Sequence, residues 1–247
     1  VGTIIAVTAA AGMGGTGLGG LAAYLFRRGT DRTVSVLLSF AAGMMLAVVC
    51  ADLLTDAIQA GLGLSALPAA SASVLAGCGG IWLLEELVSG LQAGAKRGGL
   101  FLAGVVMAAA IALHNLPEGM VIGASYAADL AEAGQDGRMM ALVIGLHNIP
   151  EGMAVAVPLA AGGASRGRAV LTTAAAGAPT VLGAVLGFCL GTMGPGLQML
   201  TLGGASGAML YVVFGELLPE SFRLCRSPAP VMAAVLGVLT GMGVVLG

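Results

Sequence analysis

The sequence predicts an all-α integral membrane protein, a single bundle of eight transmembrane helices over residues 1–247, and three observations carry that reading. Of its residues 58% are hydrophobic and only 9% charged, where soluble domains carry roughly 25% charged residues. With a mean hydropathy of +1.01, the chain cannot cover a core with water-soluble surface. Apolar runs of the length a helix needs to cross a bilayer, about 20 residues, recur along it with short connections. The charges also alternate: nine of the ten basic residues fall in every second connection.

Taken in order, the first span, 2–25, holds Gly12, Gly14, Gly15, Gly17, Gly19 and Gly20, small residues that let helix backbones approach closely in lipid. No G-K-[ST] follows and no strand precedes, so this is not a phosphate loop. No basic region leads it, so it reads as a span and not as a signal peptide. Arg27, Arg28 and Arg32 divide it from the second span, 34–59, which carries Asp52 and Asp56. The third, 66–92, has Glu85 and Glu86 near its end, at the membrane interface, and Lys96 and Arg97 lead to the fourth, 99–127. Asp129, Glu132, Asp136 and Arg138 precede the fifth, 139–162. Arg166 and Arg168 open the sixth, 168–191. An uncharged connection joins it to the seventh, 195–221, and Arg223 and Arg226 precede the eighth, 229–247.

By the positive-inside rule the connections bearing these cations are cytoplasmic and both termini are extracytoplasmic. The four cysteines, Cys50, Cys78, Cys189 and Cys225, form no C-x-x-C pair and read as buried small hydrophobic side chains.

Only two histidines occur, and both open the same phrase. The fourth span reads His114-Asn115-Leu116-Pro117-Glu118-Gly119 and the fifth His147-Asn148-Ile149-Pro150-Glu151-Gly152. Each lies near mid-membrane, where ionisable groups are expensive and face a cavity, a partner or an ion. At 100° per residue, His, Asn and Glu of one phrase occupy one arc of the helix. The proline removes an N–H from the preceding turn and is expected to kink each helix. Imidazole and carboxylate together suit Zn²⁺ and similar divalent ions. If the two spans form an antiparallel hairpin, His114 is level with Glu151 and Glu118 with His147. The two levels lie about 6 Å apart at 1.5 Å per residue, so all four side chains can converge on one ion, or on two sharing carboxylates.

Other acidic groups suggest a path. Met45, Asp52 and Asp56 share one face of the second span, with the aspartates toward the outer side as an entrance. Glu216 and Glu220, flanking Pro219, lie near the inner end of the seventh span as an exit.

The doubled H-N-x-P-E-G phrase resembles the signature of the ZIP family of divalent-metal transporters, bacterial type. The likeness covers essentially the whole chain, since eight spans with outward termini fit it too. It implies a multi-pass protein of the cell (inner) membrane that moves Zn²⁺, or Fe²⁺, Mn²⁺ or Cd²⁺, toward the cytoplasm by alternating access, with homodimers among relatives. It implies His114, Glu118, His147 and Glu151 as primary ligands, with Asn115 and Asn148 contributing to an adjacent second position. In Gly43-Met44-Met45-Leu46-Ala47, Met45 matches a methionine beside the metal.

Two features depart from the pattern. Where many relatives carry Glu-Pro on the sixth span, this chain has Gly177-Ala178-Pro179-Thr180, without the carboxylate of a second metal position. The connection after the third span lacks a histidine-rich loop.

Two rival readings are weaker. An intramembrane metalloprotease needs H-E-x-x-H, and a di-iron bundle E-x-x-H pairs. Neither motif occurs. No nucleic-acid partner is implied; the partners are divalent ions and the bilayer.

Overall fold

The computed structural model describes residues 1–25, 31–61, 66–132 and 136–246; the expected cytoplasmic Arg27 and Arg28 lie outside them. Every regular element among the described residues is helical. In chain order they are α1 (Gly2–Ala9), α2 (Gly15–Leu25), α3 (Asp31–Val48), α4 (Leu54–Ala60), α5 (Leu67–Glu132) and α6 (Asp136–Ala161). There follow α7 (Arg166–Ala176), α8 (Pro179–Thr192), α9 (Pro195–Val212), α10 (Leu218–Leu224) and α11 (Pro228–Leu246). Six helical stretches among the described residues are long and apolar enough to cross a membrane, and Leu67–Leu83 is a shorter apolar one.

Three of the expected spans contain a widened π-type turn, at Ala10–Gly14, Val49–Leu53 and Val213–Leu217. Each adds a residue to the ladder and rotates the helix beyond it. The second changes the register between Met45 and Asp52, so the shared face drawn on an ideal helix does not carry through.

The sixth span is not one helix. Pro179 has no N–H to give Ala175, so α7 stops and α8 restarts through short bonds, Ala178 N–H to Ala175 O at 3.1 Å and Thr180 N–H to Gly177 O at 3.3 Å. The carbonyl of Ala176 is thereby released.

The third and fourth expected spans fall within one helical run, α5, of 66 residues. A straight helix of that length would reach about 99 Å, three times a bilayer's hydrocarbon core of about 30 Å. Its ends forbid that shape. Ala70 clusters with Met199 at the start of α9, and Ala127 abuts Gly191 at the end of α8. Phe101 abuts Gly162, beyond α6. Both ends of α5 therefore lie by the turn that joins α8 to α9, and the helix doubles back between them.

Glycine shows how the helices associate. At many positions a Cβ would strike the backbone of a neighbouring helix, and the partners sort into two groups. Gly12 meets Gly177, Gly19 meets Ile149 and Gly152, and Gly119 and Gly183 interlock α5 with α8. These tie the widened turn at Ala10–Gly14, α2, α6, α7, α8 and the trailing leg of α5. Gly43 meets Ala234, Gly237 meets Phe40, Gly77 meets Gly204 and Gly207 meets Val74. These tie α3, α4, α9, α11 and the leading leg of α5. Among the described glycines, every nearest neighbour from another helix belongs to the same group. Without a hydrophobic drive in lipid, such close backbone packing is what holds helices together. The groups meet chiefly at α3 against α6 and α8 against α9.

The cysteines correct their expectation. Cys50 and Cys189 are exposed on the bundle surface and Cys78 and Cys225 half-buried, all unpaired. An apolar side chain facing lipid has no reason to turn inward.

Candidate metal centre

Helix α5 carries His114, Asn115 and Glu118; α6 carries His147, Asn148 and Glu151. All six are buried, and the helices continue through Pro117 and Pro150. Each proline deprives a carbonyl one turn back, at Leu113 and Leu146, of its helical donor.

The antiparallel register brings Glu118 and His147 together. His147 Nε2 lies 3.0 Å from Glu118 Oε1. Glu151, one turn from His147 on the same face, joins them, so that one donor atom from each of Glu118, His147 and Glu151 lies within 4.8 Å of the others. Glu118 Oε2, His147 Nδ1 and both oxygens of Glu151 are buried with no hydrogen-bond partner. Burying carboxylate oxygens unpaired is costly, several kcal/mol for a bare charge. The cost is recovered when a cation sits among them, and the mixed N/O donor set suits a first-row divalent ion.

His114 does not join this trio. Its Nε2 lies 2.8 Å from Oε1 of Glu216, in contact without hydrogen-bond alignment. Glu216 projects from the widened turn at Val213–Leu217, so the contact crosses from one helix group to the other. Four residues drawn to one point by spacing alone thus separate into a buried trio and a cross-group pair. The register of the seventh span, which decides this, is hidden by the π-type turn.

The two asparagines are engaged differently. Asn115 Nδ2 donates to the carbonyls of Ile111 and Ala176, both at 3.0 Å. Its Oδ1 accepts from the hydroxyl of Thr180 at 3.1 Å and from Asn148 Nδ2 at 3.4 Å. The Pro179 break therefore reaches the site, because the carbonyl it frees holds Asn115. Thr180, which sequence reasoning did not single out, takes up the oxygen expected to serve a second metal position. Its signal was in plain view: a polar residue after proline in an apolar run. Asn148 also donates to Ala11 O at 3.4 Å, and its Oδ1 stays unpartnered.

Met45 is buried in the main apolar core. Asp52 lines a small cavity of about 40 Å³ with Val48, Met139, Met140, Val143 and Val245, while Asp56 lies half-buried one turn further on.

At the opposite end a cavity of about 300 Å³ is lined by His114, Glu216, Glu220 and Arg223 with Leu38, Met107 and Ile111 among the apolar walls. Exposure rises along it, from 4% at His114 to 27% at Glu216, then 30% at Glu220 and 74% at Arg223. The cavity thus opens from the buried site toward the end bearing Arg223 and Arg226.

Comparison with known proteins gives consistent matches. The family model described as ZIP zinc transporter matches residues 89–247. Zinc transporter ZupT of Corynebacterium efficiens is 31% identical over 93% of this chain and 90% of its own. Zinc transporter ZupT of Chlorobium luteolum is 34% identical, with the same two coverages of 93% and 90%. Zinc transporter ZIPB of Bordetella bronchiseptica is 35% identical over 96% of this chain and 77% of its own.

Proposed function

The chain belongs to the ZIP zinc transporter family, and from that premise we propose that it carries Zn²⁺ across the cell (inner) membrane into the cytoplasm. It is a transporter and not an enzyme. The observation that carries the reading is the buried trio of Glu118, His147 and Glu151, whose unpartnered carboxylate oxygens await a cation.

In this reading the ion enters past Asp52 and Asp56 and binds the trio at mid-membrane. It leaves by His114, Glu216 and the graded cavity beyond. One ion is held at a time, because Thr180 and Ala176 occupy Asn115. Asn115 and Asn148 then position the site, and Met45 supports it from the core. The proline-freed carbonyls of Leu113 and Leu146 soften the helices here. The doubling-back of α5 favours eight crossings. The cation bias puts 96–97, 166–168 and 223–226 in the cytoplasm and both termini outside. Alternating access follows if one helix group moves against the other around the site, and the cross-group contact of His114 with Glu216 lies where such motion would act.

The test is flux. Purified protein sealed into vesicles should move Zn²⁺ in response to a zinc gradient, and Glu151→Gln should abolish the movement while still reaching the membrane. Parent protein that binds zinc yet passes none would overturn transport.

A further inference from the structure

The inner cavity ends on a feature that zinc binding does not require. Glu216 and Glu220 stand one helical turn apart and both line it, an arrangement that would chelate a divalent ion. Yet Glu220 is taken. Arg223 Nε donates to its Oε2 at 2.7 Å and Arg223 Nη2 to its Oε1 at 2.6 Å, so both oxygens are engaged by one guanidinium in the two-point geometry arginine favours. Placing a fixed cation at the mouth of a cation pathway is otherwise counterproductive.

The position of this pair is held from behind. Ser221, between the two residues, is buried against α3. Ser221 Oγ donates to Ser35 O at 2.6 Å, Ser35 Oγ donates back to Ser221 O at 2.7 Å, and Ser39 Oγ lies 2.6 Å from Ser221 Oγ. All three serines are fully buried. This clasp fixes α10 below the widened turn and keeps Glu220 and Arg223 at the mouth.

We propose that Arg223 sets how readily the ion leaves, by occupying Glu220 and so keeping Glu216 and Glu220 from trapping it. Conduction demands sites that bind strongly enough to receive an ion and weakly enough to release it. With Arg223 present, the three side chains carry one net negative charge instead of two. Because Arg223 is largely exposed and Glu220 partly so, the pair is screened and exchangeable: it tunes release without sealing the mouth. The inference rests on the transport reading above, but its own test does not need flux.

Zinc titration of the purified full chain by calorimetry compares the parent with Arg223→Gln and with Arg223→Gln combined with Glu220→Gln. Arg223→Gln should gain one zinc equivalent, and the double variant should lose it. In vesicles Arg223→Gln should slow zinc flux by roughly two- to fivefold, the span of an exposed pair, and adding Glu220→Gln should restore it. Arg223→Lys, which keeps the charge without the two-point contact, should fall between. Unchanged stoichiometry and flux in Arg223→Gln would overturn the proposal. So would a slowed Arg223→Gln that Glu220→Gln fails to rescue, since that marks a merely structural arginine. If the parent passes no zinc but Arg223→Gln still gains its equivalent, transport fails and the masking of Glu220 stands.

Discussion

Glu151 is the residue on which the proposed site turns, since both its oxygens are buried without partners beside a second carboxylate, Glu118. Replacing it with glutamine keeps the shape and removes one charge. Zinc affinity should drop on the order of 10- to 100-fold, as for the loss of one charged contact, and His147→Ala should do the same. Because the two share one ion in the proposed site, the double variant should be far from additive. His114, which faces Glu216 at 2.8 Å, should behave differently: His114→Ala is expected to slow flux more than it weakens binding. Equal loss of binding in His114→Ala and Glu151→Gln, measured by calorimetry, would restore a four-ligand site. Acid should also act here. A ligand imidazole must be neutral and its carboxylates ionised, so zinc binding is fully present above the ordinary imidazole range and is lost as pH falls through it. Affinity unchanged between pH 7.5 and 5.5, conditions chosen to bracket about 6.5, would argue against His147.

At the scale of the element, the break between α7 and α8 positions a residue it does not contain. Pro179 ends the ladder, Ala176 loses its amide partner, and Asn115 takes that carbonyl at 3.0 Å. Pro179→Ala should let the helix close, returning the Ala176 carbonyl to Thr180 N–H and freeing Asn115. Removing a helix-interrupting proline is expected to leave thermal stability equal or higher, while zinc flux falls. Melting temperature and vesicle flux measured on the same preparation separate the two effects. A variant that is both stable and fully active would mean that Asn115 needs no such tether. The element also explains the expected and observed courses of the sixth span: hydropathy sees one apolar run, whereas backbone hydrogen bonding sees two helices.

For the whole molecule, the sorting of glycine contacts into two groups makes a prediction about motion. In a cysteine-free background, a disulfide between Ala127→Cys and Gly191→Cys joins helices of one group and should leave zinc flux intact. A disulfide between Met107→Cys and Pro219→Cys, which line the cavity beside His114 from α5 and α10, should stop it, and reduction should restore it. Flux surviving the second cross-link, with its formation verified on a gel, would mean that the groups do not move apart there.

Composition and hydropathy by themselves determined that this chain is helical and lives in a bilayer, because unpaired backbone polar groups are intolerable in hydrocarbon. The doubled phrase with every histidine of the chain pointed to the candidate site, and the level pairing of Glu118 with His147 followed from helical rise once the two spans are taken as an antiparallel hairpin. Those properties are local or periodic, and a sequence displays them directly. The tertiary structure decided what depends on phase between helices. Widened turns in the expected first, second and seventh spans shift the register that an ideal helix would give, so Glu216 comes to His114 and the shared face of Met45 and Asp52 is lost. Which carbonyl holds Asn115, and which glutamate Arg223 engages, are likewise settled by contacts at hydrogen-bond range. A π-type turn leaves hydropathy almost unchanged, yet it rotates every side chain beyond it.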